Sequence, residues 1–218
     1  FPQRTNRVWG GDWDSNGLGT TFNPPTPKIT FSYGDFSCAF SKPYDKRAES
    51  NGDLGYAAFG TKDVDSYLPQ LQASYMYFAD TWKMHLGAGY QHLKLNDIQG
   101  LNFKDKSIHS WLVAADADID FGPLYLQIAA SAGQNWSDAG WNDESGAIAP
   151  VIFSDYYFNQ NMGVNIHNGK LKDTTSFMAS LSVGYHLTES LRFEAGAAYR
   201  YDDNSAFYDS NNNMNFYL

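Results

Sequence analysis

The sequence predicts an all-β chain, specifically a transmembrane antiparallel β-barrel, on three observations. Apolar and polar residues alternate strictly over runs of about ten residues, which is the signature of a strand with two unlike faces. The runs come in pairs joined by tight turns, while the connections between pairs are long and polar. Aromatic residues gather at both ends of the apolar face. The stretch WLVAADADIDFGPLYLQIAASA (111–132) shows the pattern most sharply. Asp116, Asp118 and Asp120 alternate with Ala115, Ala117, Ile119 and Phe121; then, past Gly122-Pro123, the alternation resumes at Leu124, Leu126, Ile128, Ala130 and Ala132.

The first paired element is KITFSYGDFSCAFSK (28–42), turning at Gly34-Asp35, with Phe36, Cys38 and Phe40 on one face. The second covers 67–92, where Tyr67, Leu71, Ala73, Tyr75 and Tyr77 precede a turn at Asp80-Thr81 and Trp82, Met84, Leu86, Ala88 and Tyr90 follow it. The 111–132 stretch is the third. The fourth, 177–201, carries Phe177, Ala179, Leu181, Val183, Tyr185 and Leu187 and then Leu191, Phe193, Ala195, Ala197, Tyr199 and Tyr201 on one face. MNFYL at 214–218 reads as a further strand beginning. About eight strands are visible, at roughly the 9–11 residues a tilted strand needs to cross a bilayer. Long extracellular loops are expected near 43–65, 95–107 and 134–175, and the short-turn, long-loop asymmetry is that of an outer-membrane barrel.

Composition agrees with this reading. The chain of 218 residues has room for one large β domain, and 1–218 is taken as a single barrel domain or a segment of one. With 15 Tyr, 15 Phe, 6 Trp and 19 Gly it favours strands and turns over helices. A formal net charge of -9 argues against a nucleic-acid partner, which would require clustered cations. Cys38 is the single cysteine, so no disulfide framework and no thiolate metal site are expected. No apolar run approaches the roughly 20 residues of a transmembrane helix. A start at Phe1 rather than Met is read as a mature or trimmed product.

If the apolar face meets lipid, aromatics belong at the height of the headgroups. Tyr77, Trp82, Phe121, Tyr185 and Phe193 fall near the short turns; Tyr67, Tyr90, Trp111, Phe177, Tyr199 and Tyr201 fall near the long loops. Between them the face is Leu, Ala, Val, Met and Ile. The 124–132 strand lacks this belt and is small toward its loop end, which suits either a subunit interface or an ordinary lipid-facing strand. The opposite face then lines water, and its charged positions are Lys83, His85, Asp116, Asp118, Asp120, Arg192, Glu194 and Arg200. Asp116 and Asp118 are expected as an acidic ladder near mid-height, facing basic residues across a constriction; the plainer alternative is solvated charges in a wide vestibule. The connection 134–175 is too long for a plain link. Its run GAIAPVIFSDYYF is apolar enough to pack, so the loop is expected to fold inward or latch onto a neighbour, with Asp138, Asp143 and Glu144 at or above the constriction.

Other signals carry less. Asp12, Asp14 and Asn16-Gly17 open like a calcium loop, but Asn23 stands where the bidentate Glu belongs. The histidines His85, His92, His109, His167 and His186 show no local metal spacing, and no nucleophile elbow or phosphate loop occurs. No cofactor, no metal and no enzymatic activity are expected.

Through FADTWKMHLGAGY, DIDFGPLYLQIA and YHLTESLRFEAGAAYRY the chain resembles Gram-negative outer-membrane general porins of the homotrimeric type, over roughly 28–218. The resemblance implies a barrel of about 16 antiparallel strands, assembly as a homotrimer amid outer-membrane lipid and lipopolysaccharide, and passive diffusion of ions and small hydrophilic solutes. The chain departs from that pattern in its strand number and in stopping within a strand, so a segment of a larger barrel is expected. The alternative is a closed eight-stranded barrel with a surface-binding or adhesion role. A barrel-borne enzyme lacks any supporting motif, and a soluble carbohydrate-binding sandwich would not place its aromatics at two heights.

Overall fold

The computed structural model describes residues 27–43, 64–95, 106–139, 141, 165–167, 170–188, 191–204 and 211–217. In chain order its strands are β1 (Lys28–Tyr33), β2 (Phe36–Ser41), β3 (Val64–Asp65), β4 (Gln70–Phe78), β5 (Trp82–Leu95), β6 (Ser107–Phe121), β7 (Leu124–Gln134), β8 (Asn165–His167), β9 (Lys170–Lys172), β10 (Thr174–His186), β11 (Arg192–Asn204) and β12 (Asn211–Tyr217). A short 3-10 turn spans Trp136–Ala139. Ten strands form one sheet in the order β1-β2-β4-β5-β6-β7-β10-β11-β12, with β3 set against β5, and β8 and β9 make a separate hairpin. All pairings are antiparallel.

Local chemistry explains the turns. Gly34 and Gly122 hold φ of 55° and 77°, a left-handed conformation that glycine adopts without steric cost. Gly34 closes β1 on β2, and Gly122-Pro123 closes β6 on β7. The β4–β5 turn is held by Ala79 N–H donating to the Trp82 carbonyl at 2.8 Å. At the β10–β11 turn, Leu187 N–H donates to the Leu191 carbonyl at 2.9 Å and Leu191 N–H to Thr188 Oγ1 at 3.0 Å. The strands between are long: β5, β6, β7, β10 and β11 have 14, 15, 11, 13 and 13 residues.

Three boundaries differ from expectation. The eight expected strands are present, β1 and β2 with only six residues each, and the further strand expected from Met214 begins three residues earlier as β12 at Asn211, where an Asn-rich run has no alternation to announce it and pairing with β11 fixes its backbone. Tyr67 lies in a bend ahead of β4 rather than on that strand. The connection after β7 holds the 3-10 turn and the β8–β9 hairpin, so it is not featureless. The calcium-like loop and the 146–158 run lie outside the described residues.

The two faces are inverted relative to a soluble sheet. Ile29, Phe31, Leu86, Val113, Ile128, Leu181, Val183 and Phe193 are exposed on one face, while Gln70, Gln91, Ser110, Ser176 and Ser182 are wholly buried on the other. An apolar surface this continuous is strongly unfavourable in water and marks contact with lipid or another protein. Its aromatics stack in two bands. Toward the short turns Tyr77 meets Trp82 with ring centroids 4.9 Å apart, and Tyr185 stands opposite Phe193. Toward the other end Tyr90 stands opposite Trp111 and Phe177 opposite Tyr201. Trp82, Trp111, Phe121 and Phe177 are exposed, whereas Tyr90, Tyr199 and Tyr201 are half-buried by neighbouring side chains. Cys38 is a free, half-buried thiol on this face opposite Ala73.

Small residues on the polar face serve as seats for large ones. The Tyr125 side chain lies directly over Gly184 on β10, where an added Cβ would come within 2.0 Å of its ring, and its hydroxyl donates to Glu194 Oε2 on β11. Gly184→Ala must therefore displace that ring and its bond, with an expected loss of about 1–3 kcal/mol. A lower urea midpoint for loss of the compact, heat-modifiable gel band would register it; an unchanged midpoint would show that the seat is not needed.

Candidate functional site

The polar face divides into two zones that the strand registers place end to end. The zone toward the short turns is charged and open. Lys83 on β5 pairs with Asp118 on β6, Nζ to Oδ2 at 2.7 Å, with half of the lysine side chain still exposed. Gln127 Nε2 donates to the other oxygen of Asp118 at 2.8 Å, and Ser182 Oγ donates to Gln127 Oε1 at 3.3 Å. One polar chain thus crosses β5, β6, β7 and β10. A register step away, His85 Nδ1 donates to Asp116 Oδ2 at 3.1 Å. Asp120 and Arg192 are exposed, and Glu194 is half-buried beneath the Tyr125 hydroxyl.

Antiparallel registry explains why these groups meet. Lys83 faces Asp118 and His85 faces Asp116 directly across the β5–β6 ladder, with Gln127 opposite Asp118 on β7. Directly opposed side chains lie close enough for opposite charges to pair. The expected acidic ladder is therefore not a bare carboxylate column. Both of its members, Asp116 and Asp118, are tied to cationic or potentially cationic partners on the neighbouring strand, whereas the carboxylate of Asp120, two residues on, is exposed.

Toward the long loops the polar face is covered. Asn135 ends β7 with φ of 53°, a left-handed conformation that Asn tolerates better than other non-Gly residues. Its amide Nδ2 donates to the His109 carbonyl at 3.0 Å and to Asp173 Oδ1 at 2.8 Å, while its Oδ1 accepts from Thr174 N–H at 2.9 Å. This knot turns the chain back across the polar face. Trp136 then lies over Gly133 and Trp141 over Gly89, where added Cβ atoms would come within 2.3 Å and 2.6 Å of the indoles. Gly89, Leu112 and Gly133 stand side by side on β5, β6 and β7, so the two glycines are slots on either side of Leu112. Leu112, Trp136, Ala139, Trp141 and Met178 form the buried apolar cluster that results.

Amide side chains complete the seal. Gln70 Nε2 donates to the Ala139 carbonyl at 2.7 Å and to Gln91 Oε1 at 3.0 Å, and Gln70 Oε1 accepts from Ser41 Oγ and Gln72 Nε2, both at 3.0 Å. The space above Gly89 is filled by the Trp141 indole. Arg200, expected to line water, is 3% exposed and bonded to Asp202, Nε to Oδ2 at 2.7 Å, so its charge is not presented to solvent. His85, likewise expected to line open space, is buried behind Asp116. Asp138 lies on the 3-10 turn within the covering segment; Asp143 and Glu144 lie outside the described residues. Sequence reading missed Asn135, Trp136 and Trp141. The only local signal for them was a Gly-Gln-Asn-Trp run at the end of an alternating strand.

An antiparallel meander of bilayer-length strands, apolar and exposed on one face and polar on the other, is the wall fold of an outer-membrane β-barrel. The crystal structure of the outer membrane channel DcaP of Acinetobacter baumannii is similar to it, with a TM-score of 0.59 and 14% identity over 93% of this chain and 53% of that one. The chain thus spans about half the length of the DcaP chain, and the likeness is one of fold. No family model and no curated protein sequence matches the chain.

Asn135 carries both the unusual backbone angle and three side-chain bonds, so Asn135→Ala is expected to loosen the covering segment by about 1–3 kcal/mol. Faster limited proteolysis between Asn135 and Trp141, with the sheet's resistance unchanged, would report it. Equal cleavage rates would mean that the indole seats alone hold the segment.

Proposed function

We propose that this sheet is wall from an outer-membrane porin of a Gram-negative bacterium, forming a water-filled channel for passive diffusion of ions and small hydrophilic solutes. The observation that carries the reading is the open charged zone on the polar face, set behind a continuous lipid-type face. Likeness of fold to an outer membrane channel supports it. β1 and β12 stand at the two edges of the sheet, and a bilayer admits no unpaired strand edge, so in this reading further pairing completes the wall.

The covering segment assigns roles along the channel. Packed against the wall by Trp136 and Trp141, it takes up cross-section at the long-loop end and leaves Lys83, Asp116, Asp118, Asp120, Arg192 and Glu194 as the charges nearest to passing solute. Carboxylates outnumber the cations in that group, which favours cations. The channel does no bond chemistry and uses no cofactor. The homotrimer belongs to the same proposal: β7 offers Ala130 between Ala115 and Ala179 on the apolar face, shallow enough there for another wall to approach.

Single-channel recording in a planar bilayer with symmetric salt tests the reading. Ohmic steps arriving in threes are expected. A protein that inserts without conducting would instead indicate a barrel whose interior is plugged by side chains and the covering segment, with a surface-binding role. If lumen carboxylates set selectivity, Asp116→Asn with Asp118→Asn lowers the cation/anion permeability ratio, read as a shift in reversal potential across a salt gradient. Lipid contact has a separate test. Leu181→Arg, at the middle of the apolar face, is expected to cost about 2–4 kcal/mol of folding into liposomes; indifference to that charge would remove the face from the bilayer.

A further inference from the structure

The antiparallel register of β5 and β6 sets His92 directly opposite His109. Both lie on the apolar-face parity, one step beyond the Tyr90–Trp111 aromatic pair and so outside the belt. Their ring centroids are 5.0 Å apart with planes at 48°. Tyr90 Oη lies 2.9 Å from Nδ1 of His109, which occupies that nitrogen and leaves Nε2 as the ring's other ligating atom. His109 is exposed and His92 half-exposed.

We propose that His92 and His109 form a cross-strand chelate for a divalent transition metal such as Zn²⁺, Ni²⁺ or Cu²⁺, with Tyr90 as the residue that orients His109. Distance supports this. Two imidazoles bound at about 2.0–2.1 Å in a tetrahedral arrangement have ring centres about 5 Å apart, which is the separation found. A metal-bound histidine generally engages its other ring nitrogen in a hydrogen bond that fixes tautomer and orientation, the part Tyr90 plays here. Imidazole suits zinc, copper and nickel over magnesium or calcium. No acidic or thiol side chain joins the pair into a larger cluster among the described residues. The remaining coordination positions therefore fall to water, and the site is exchangeable and of moderate affinity rather than structural.

Titrating the tag-free, detergent-solubilised protein with ZnCl₂ in a calorimeter is expected to show saturable, stoichiometric uptake. His92→Ala and His109→Ala each abolish it, and Tyr90→Phe weakens it about tenfold. Electron paramagnetic resonance of the wild-type protein with Cu²⁺ gives a second readout that needs no variant: hyperfine structure from two ring nitrogens. No uptake by the wild type, uptake unchanged by His92→Ala, or a copper signal without two nitrogens would each overturn the site and leave the rings as a stacked pair. The channel reading is untouched by any of these results, because the pair lies on the opposite face from the charges assigned to conduction.

Discussion

Backbone hydrogen bonding across the sheet is the constraint on which everything else rests. Each strand from β2 to β11 along the main order is paired on both sides, so along the paired registers its peptide groups are satisfied without help from solvent. That frees the side chains of the two faces to meet different surroundings, since successive residues of a strand point oppositely. In a soluble sheet the apolar residues would be buried; here they are the exposed ones. The inversion is affordable only where the surroundings are not water, and the two aromatic bands lie at the boundaries of such a region.

With the outer face committed to lipid-type contact, packing specificity falls on the polar face, and it works through absences of side chain. Gly184 receives Tyr125, Gly133 receives Trp136 and Gly89 receives Trp141. Each seat is a glycine whose neighbour on the next strand supplies or flanks the large ring. The result is a buried zone of indoles and amides at one end and an open zone of charges at the other. Asn135 is the pivot between strand and covering segment, because a left-handed residue at the end of β7 is what redirects the chain across the wall rather than away from it.

Charge placement follows the same register logic. Lys83 and His85 are spaced by two on β5 and face Asp118 and Asp116, spaced by two on β6. A one-residue slip would send every one of them to the apolar face. The pairing holds the carboxylates at fixed positions on the wall while leaving Asp118 and Lys83 in reach of solvent. The same register also produced the His92–His109 pair on the other face, beyond the aromatic belt.

The sequence by itself determined the strands, their hairpin pairing and which residues share a face, because period-two alternation and tight-turn glycines are local facts. It determined the aromatic bands for the same reason, as position along a strand translates directly into height. It announced β12 only from Met214 on, because the Asn run before it has no alternation and is held by its ladder to β11, and it did not determine the fate of Arg200, which lies on the expected face but is buried with Asp202. Nor did it reveal the indole seats or the histidine pair. Those depend on which residues of different strands come opposite one another and on where a loop returns, and such contacts between distant parts of the chain exist only once the sheet has assembled.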